Sequence, residues 1–311
     1  MDRRKFITGC ACCASIAALA AMQGFRHISQ NASEPKPVHY RPDWIPIVDF
    51  MAVTHCNLKC KSCHHFSCIA EEEIYKPADF ERDAARLAEI TNAKIEDVTL
   101  LGGETLLHPQ INELMLILRK YFPDSVLDVL TNGILLNSMD DSFWKTARKT
   151  DAHVSPSFYN VDIDWKSVFN KAEKFGVKLM YDESNVKMEL DNLPYFKEQY
   201  FHHLNLDLNG KSDFYFTKPL MRTCNIDVPT LYRGKLYPCF IPGLIHIFNK
   251  KFNQNLITNE LDYIDIYKTG ADGFMQKLAG FHPQFCRYCR EIDYSSVPWE
   301  NSPEHTMDEW T

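Results

Sequence analysis

Residues 47–63 read Ile47-Val48-Asp49-Phe50-Met51-Ala52-Val53-Thr54-His55-Cys56-Asn57-Leu58-Lys59-Cys60-Lys61-Ser62-Cys63. Ile47 to Val53 is apolar apart from Asp49, long enough for a buried strand and too short for a helix by itself. It runs directly into a Cys-x3-Cys-x2-Cys triplet, which places three thiols in a loop at a strand's carboxyl end. Three thiolates can hold three irons of a four-iron cluster and leave the fourth iron open to an exchangeable ligand, whereas an electron-transfer cluster usually takes four. Two other chemistries fit the same spacing: a zinc site completed by His64 or His65, and an electron-carrier cluster completed by Cys68.

Outward from this stretch the chain repeats a strand, loop, helix rhythm. Pro77 opens a helix with Phe80, Ala84, Leu87 and Ala88 on one face, and Val98 to Leu101 is the next strand. Pro109 opens a second helix carrying Ile111, Leu114, Met115 and Leu118, and Val126 to Thr131 is a third strand ended by Asn132-Gly133. Two further units follow: helix Phe143 to Lys149 with strand Ala152 to Ser155, and helix Trp165 to Phe175, stopped by Gly176, with strand Val177 to Tyr181. Such alternation implies a parallel sheet with right-handed crossovers, either open and doubly wound or a barrel, with chemistry at the carboxyl ends of the strands.

The whole-chain numbers bound the alternatives. With 311 residues, 45% hydrophobic and 24% charged, the chain can bury a sizeable core without disulfides or metals. Its eleven cysteines therefore need another explanation, and their tight clusters point to metal or redox chemistry. A net charge of −7 gives no global basic field, which argues against nucleic acid as a partner.

The second strand ends in Leu101-Gly102-Gly103-Glu104, where two glycines let the backbone approach a ligand closely and a carboxylate follows. One strand-loop-helix unit after the cysteine triplet, this combination resembles the radical S-adenosylmethionine (radical SAM) superfamily. The resemblance spans about residues 45–181 and implies an α/β fold, a partial (β/α)6 barrel, in which Cys56, Cys60 and Cys63 bind a [4Fe-4S] cluster. It further implies that SAM chelates the open iron and that Gly102, Gly103 and Glu104 hold the SAM amino group. The residue before the third cysteine is usually aromatic in this superfamily, but here it is Ser62, which leaves adenine packing to Phe66 or to a backbone contact. Asn132 stands where the family often places a polar residue near the ribose, and it equally suits a left-handed position in an Asn-Gly turn. Ser155 and Ser157 follow the fourth strand, with Ser155 expected to contact SAM. A flavodoxin- or ferredoxin-like electron donor is implied in turn.

Farther along lie Cys224, Cys239, Cys286 and Cys289, with Gly234 between two short apolar runs as a hairpin turn. Four thiolates in two pairs serve zinc or an iron-sulfur cluster. Beside a radical SAM barrel, the spacing resembles the twitch domain, a shortened relative of the SPASM domain, which implies an auxiliary [4Fe-4S] cluster. Related proteins act on peptides, protein side chains, sugars and nucleotides. The run Cys63-His64-His65-Phe66 also looks like radical SAM proteins found beside surface-polysaccharide genes, so the expected substrate is a small molecule, a carbohydrate or a peptide. Phe214, Tyr215 and Phe216 with Lys218 and Arg222 could contact a phosphorylated or carboxylated ligand or pack as a core strand. No side chain is assigned as catalytic.

The chain opens with Arg3-Arg4 and Phe6, then runs free of charge to Gly24, as a targeting segment does. It resembles a twin-arginine export signal, and an apolar anchor giving membrane association is the alternative. Cys10, Cys12 and Cys13 are excluded from any metal site. The expected organisation is a targeting segment over 1–25, a linker over 26–44, the barrel over 45–215, the twitch-like domain over 216–295 and a tail over 296–311. The expected location is the cytoplasm or the cytoplasmic face of the membrane, with twin-arginine export as the alternative. An exported iron-sulfur electron carrier without SAM chemistry is the rival reading.

Overall fold

The structure, a computed structural model, describes residues 43–157, 159, 161–180, 200–201, 204–212, 228–290 and 297–311. The expected targeting segment, nearly all of the linker, Cys224, and the group Phe214, Tyr215, Phe216, Lys218 and Arg222 lie outside the described residues.

Five strands and four helices alternate through the first part of the chain: β1 (Ile45–Val53), α1 (Pro77–Thr91), β2 (Ile95–Gly102), α2 (Ile111–Tyr121), β3 (Val126–Thr131), α3 (Asp141–Lys149), β4 (Ala152–Pro156), α4 (Trp165–Phe175) and β5 (Lys178–Leu179). The helix ends follow local chemistry. Pro77 begins α1, where its missing N–H has no intrahelical partner to lose, and Asn92 closes it in the left-handed region at φ 52°. The Asp140 carboxylate caps α3 by accepting from Ser142 N and Phe143 N, at 2.9 and 3.1 Å. Asp164 caps α4 through Ser167 N at 3.0 Å, and Gly176 ends it at φ 66°. Helix α2 begins at Ile111, two residues beyond Pro109, because Gln110 takes the capping position.

All five strands are parallel, in the order β5-β4-β3-β2-β1. Alternate residues Val48, Phe50, Val98, Leu100, Leu127, Val129, Ala152 and Val154 are buried in one cluster with Leu87 of α1, Leu118 of α2, Trp144 of α3 and Val168 of α4. One face of the sheet thus receives all four helices. A doubly wound sheet would divide them between two faces, so the architecture is an α/β partial barrel whose sheet stays open.

Beyond β1 the sheet continues through β7 (Thr230–Tyr232), β8 (Lys235–Tyr237) and β9 (Ile264–Asp265), while β6 (Tyr200–Phe201) pairs with β10 (Val297–Pro298) in a separate two-stranded sheet. Strand β7 runs parallel to β1, and β7 and β8 form the expected hairpin, with Arg233 and Gly234 at φ 53° and 72° in its turn. Among the described residues the sixth parallel strand therefore lies beside β1 rather than after β5, and residues expected to form a separate small domain extend the main sheet without a break. Helix α5 (Phe240–Phe252), which the sequence reading did not anticipate, packs with Met51, Leu101, Tyr232, Phe66 and Trp310 in a second core. A short helix α6 (Phe274–Ala279) returns to the first core through Phe274.

Candidate metal centre

The cysteine loop leaves the carboxyl end of β1 and is fixed first by the turn after β2. Gly103 N donates to Val53 O at 3.1 Å and Glu104 N to His55 O at 3.0 Å. A Cβ on Gly102 would lie 2.7 Å from Val53 O, and one on Gly103 would lie 2.1 Å from His55 O. The two glycines are thus required by the approach of one backbone to another, the turn of β2 lying directly against the first residues of the cysteine loop.

Glu104 is fully buried, and its carboxylate accepts from Leu106 N at 3.0 Å, Thr131 Oγ1 at 2.6 Å and Asn132 N at 2.7 Å. Burial raises its pKa above the ordinary carboxylate value, opposed by these three hydrogen bonds. It joins the ends of β2 and β3. Asn132 carries that linkage into the cysteine loop: its side-chain amide donates to Asn57 Oδ1 at 2.6 Å and lies 3.6 Å from Cys56 Sγ, while its Oδ1 accepts from Ile134 N at 3.1 Å. The left-handed residue of the Asn-Gly pair is Gly133, at φ 83°, where a Cβ would meet Trp165 at 2.5 Å.

The thiols themselves receive donors. Leu58 N donates to Cys56 Sγ at 3.3 Å and Trp299 Nε1 to Cys60 Sγ at 3.2 Å. Burial pushes the Cys56 thiol up to about 12 and that of Cys60 up as well. A hydrogen bond from Cys68 lowers the pKa of Cys63. Buried thiols of this kind ionise when a cation offsets the charge. In the same loop His55 Nδ1, Ser62 Oγ and His65 Nε2 are buried with no hydrogen-bond partner. Three thiols that each take part in a hydrogen bond, two of them accepting from N–H groups, with unmatched polar atoms among them, fit an iron-sulfur group. Among the described residues no three His, Cys, Asp or Glu side chains converge as they would on a single ion; a four-iron cube takes its three thiolates on three different irons.

Ser62 is fully buried at φ 54° and donates its N–H to Glu309 Oε2 at 3.0 Å. The expectation that Phe66 could pack on adenine is corrected. Its ring is fully buried between Phe248 and Trp310, at 5.6 and 6.1 Å between centroids, so it belongs to the core. Ser155 is buried and donates to Asp128 Oδ1 at 3.1 Å, and Ser157 N donates to Thr131 O at 2.8 Å.

Sequence reasoning missed two features. The sheet face away from the four helices carries a polar row in register across four strands, Asp49, Thr99, Asp128 and His153. Burial raises the Asp49 carboxyl well above its usual range, and burial with neighbouring Asp128 and Glu96 raises Asp97 to about 7. The available signal was the interruption of apolar strands by single acidic residues. The second feature is the end of the chain: residues expected as a tail fold back onto the cysteine loop, with Ser302 N donating to Lys59 O at 2.8 Å and Trp310 Nε1 to Cys63 O at 2.9 Å.

Of the distal cysteines, Cys239 directly precedes α5 and Cys289 follows a 3-10 turn over Gln284–Tyr288. Both pack at the margin of the second core, as does Cys68, while Cys286 O accepts from Cys289 N at 3.0 Å. Among the described residues no helix is long and apolar enough to cross a membrane.

Residues 47–175, from β1 to the end of α4, match the family model of a 4Fe-4S single cluster domain. No curated protein sequence matches the chain. Among solved structures it is similar to BtrN in complex with AdoMet and 2-DOIA, at 16% identity and a TM-score of 0.45 over 81% of this chain and 98% of that one. It is also similar to native anSMEcpe with bound AdoMet, at 15% identity and 0.44 over 78% and 83% of the two chains. For SuiB of Streptococcus suis the values are 12% and 0.34 over 75% and 66%.

Proposed function

We propose that this protein is a radical SAM enzyme whose first cluster is held by Cys56, Cys60 and Cys63. The observation that carries this reading is the pairing of a cysteine triplet, with N–H donors on Cys56 and Cys60, with the Gly102-Gly103-Glu104 turn docked on its backbone, the triplet and the turn both lying inside a segment that matches a 4Fe-4S domain. When bound, the cluster with SAM supplies one-electron cleavage of the sulfonium to a 5'-deoxyadenosyl radical, which abstracts a substrate hydrogen. The chain's own residues hold and shelter that chemistry. Gly102 and Gly103 bring the turn near enough for its backbone to reach the SAM amino group, and Glu104 and Asn132 lock the turn to the loop. Ser155 lies on the inner strand face toward which SAM would extend.

Cys224, Cys239, Cys286 and Cys289 are proposed to hold an auxiliary [4Fe-4S] cluster in a twitch-like region. The proposed substrate is a polar small molecule, carbohydrate or peptide, in keeping with the buried acidic groups of the inner face. A flavodoxin- or ferredoxin-like protein would deliver the electron, and the proposed site of action is the cytoplasm or the cytoplasmic face of the membrane.

The test is anaerobic reconstitution and dithionite reduction with SAM, assaying 5'-deoxyadenosine and iron in wild type and in the Cys56, Cys60, Cys63 triple alanine variant. Turnover in wild type, with none in the variant and about four irons remaining, supports both clusters. A second reading, an electron carrier with four thiolates on the first cluster, is favoured by the hydrogen bond between Cys68 and Cys63. Cys68→Ala separates the two: a carrier loses its cluster ligand, whereas the enzyme keeps its iron and its SAM cleavage.

A further inference from the structure

Residues 59–63 are met one after another by a segment some 240 positions away in the chain. Lys59 O accepts from Ser302 N at 2.8 Å, Cys60 Sγ from Trp299 Nε1 at 3.2 Å, and Cys63 O from Trp310 Nε1 at 2.9 Å. Lys61 N donates to Glu300 O at 2.9 Å and Ser62 N to Glu309 Oε2 at 3.0 Å. The end of the chain thus forms a short antiparallel splint, Cys60 bridging to Asn301. Within it one contact reaches a sulfur. An indole N–H is a donor with no acceptor capacity, so at this distance the ring can engage the sulfur in only one sense. The Trp299 ring is held partly buried, its centroid 5.4 Å from that of Tyr159.

We propose that Trp299 is a positioning residue for the first cluster, its indole N–H donating to the ligating Cys60 sulfur and raising the cluster's reduction potential. This rests on the reading of Cys56, Cys60 and Cys63 as cluster ligands. Reduction adds negative charge to the cluster and its thiolates, so a fixed donor on a sulfur stabilises the reduced state more than the oxidised one. Hydrogen bonds to ligand sulfurs and solvent exposure are established determinants of iron-sulfur potentials. The splint supplies the donor and covers that side of the loop.

The experiment uses the reconstituted full-length protein. The signal of the first cluster is identified as the part of the reduced EPR spectrum missing from the Cys56, Cys60, Cys63 triple alanine variant. Trp299→Phe is expected to keep the wild-type iron content and to titrate at a more negative potential, while Trp310→Phe, whose indole meets a backbone carbonyl, moves it less. Wild-type protein carrying 15N in its tryptophan indoles is expected to show a 15N coupling to the reduced first cluster by pulsed EPR, absent from labelled Trp299→Phe. A wild-type spectrum without that coupling overturns the proposal, as does full-iron Trp299→Phe titrating with wild type. If Trp299→Phe loses its iron, the coupling in wild type decides. Iron content unchanged by the triple variant overturns the cluster reading itself and this proposal with it.

Discussion

The backbone N–H of Ser62 donates to the carboxylate of Glu309 at 3.0 Å, joining the middle of the cysteine loop to the third residue from the end of the chain. The same carboxylate accepts from Ser302 Oγ at 2.5 Å and Thr306 N at 3.1 Å, with His305 Nδ1 at 3.5 Å. One acidic side chain thus gathers the loop and the splint.

Glu309→Ala is expected to cost about 2–3 kcal/mol, because Ser62 N–H is fully buried and loses its acceptor. Urea unfolding measures this. Burial disfavours the Glu309 carboxylate, but the hydrogen bonds from Ser302, Ser62 and His305 outweigh it and leave its pKa below the ordinary value. The stabilisation is therefore present above the unfolded carboxyl's pKa of about 4.3 and is lost as pH falls through the lower folded value. Melting curves from pH 6 to pH 3 should show wild type and Glu309→Gln converging at the acid end.

Gly103→Ala places a Cβ 2.1 Å from His55 O and 2.8 Å from Ser67 Cβ. The backbone must shift, at a cost of about 2–3 kcal/mol, and the shift falls on the cysteine loop. Reconstituted protein should keep its far-ultraviolet circular dichroism and lose iron from the first site.

Glu104→Ala strands three donors, Leu106 N, Thr131 Oγ1 and Asn132 N. A loss of at least about 2 kcal/mol follows. Glu104→Gln keeps an acceptor for part of the set and should lose less, as judged by the urea midpoint.

Asn132→Ala removes the amide between β3 and Asn57, beside Cys56 Sγ. The fold should survive, since Asn132 is a polar residue at the end of β3 and takes no part in the hydrophobic cores. Iron retention against a chelator should fall by about 10-fold, in the range for loss of a group that orients a ligand.

Phe66→Leu tests whether this ring serves the core alone. As a core residue between Phe248 and Trp310, it should lower stability by about 1–1.5 kcal/mol and leave SAM affinity unchanged by equilibrium binding. A selective loss of SAM affinity would instead return Phe66 to an adenine contact.

By itself the sequence determined the parallel core and the placement of the cysteine triplet. Val126 to Thr131 and Trp165 to Phe175 have the bounds their residues indicate, because apolar periodicity, an acidic cap and a terminal glycine act over a few neighbouring residues. The Arg233-Gly234 hairpin was legible for the same reason. Only the tertiary structure decided that helices α1 to α4 share one face, that β7 lies beside β1, and that Gly102 and Gly103 make room for Val53 and His55. It also decided that Phe66 is core and that Trp299, Glu309 and Trp310 hold the cysteine loop. The contacts from Trp299 and Glu309 span 239 and 247 residues. Such contacts depend on where the whole sheet carries the two ends of the chain, which no local pattern encodes, and the polar row Asp49-Thr99-Asp128-His153 exists only through a register shared by four strands.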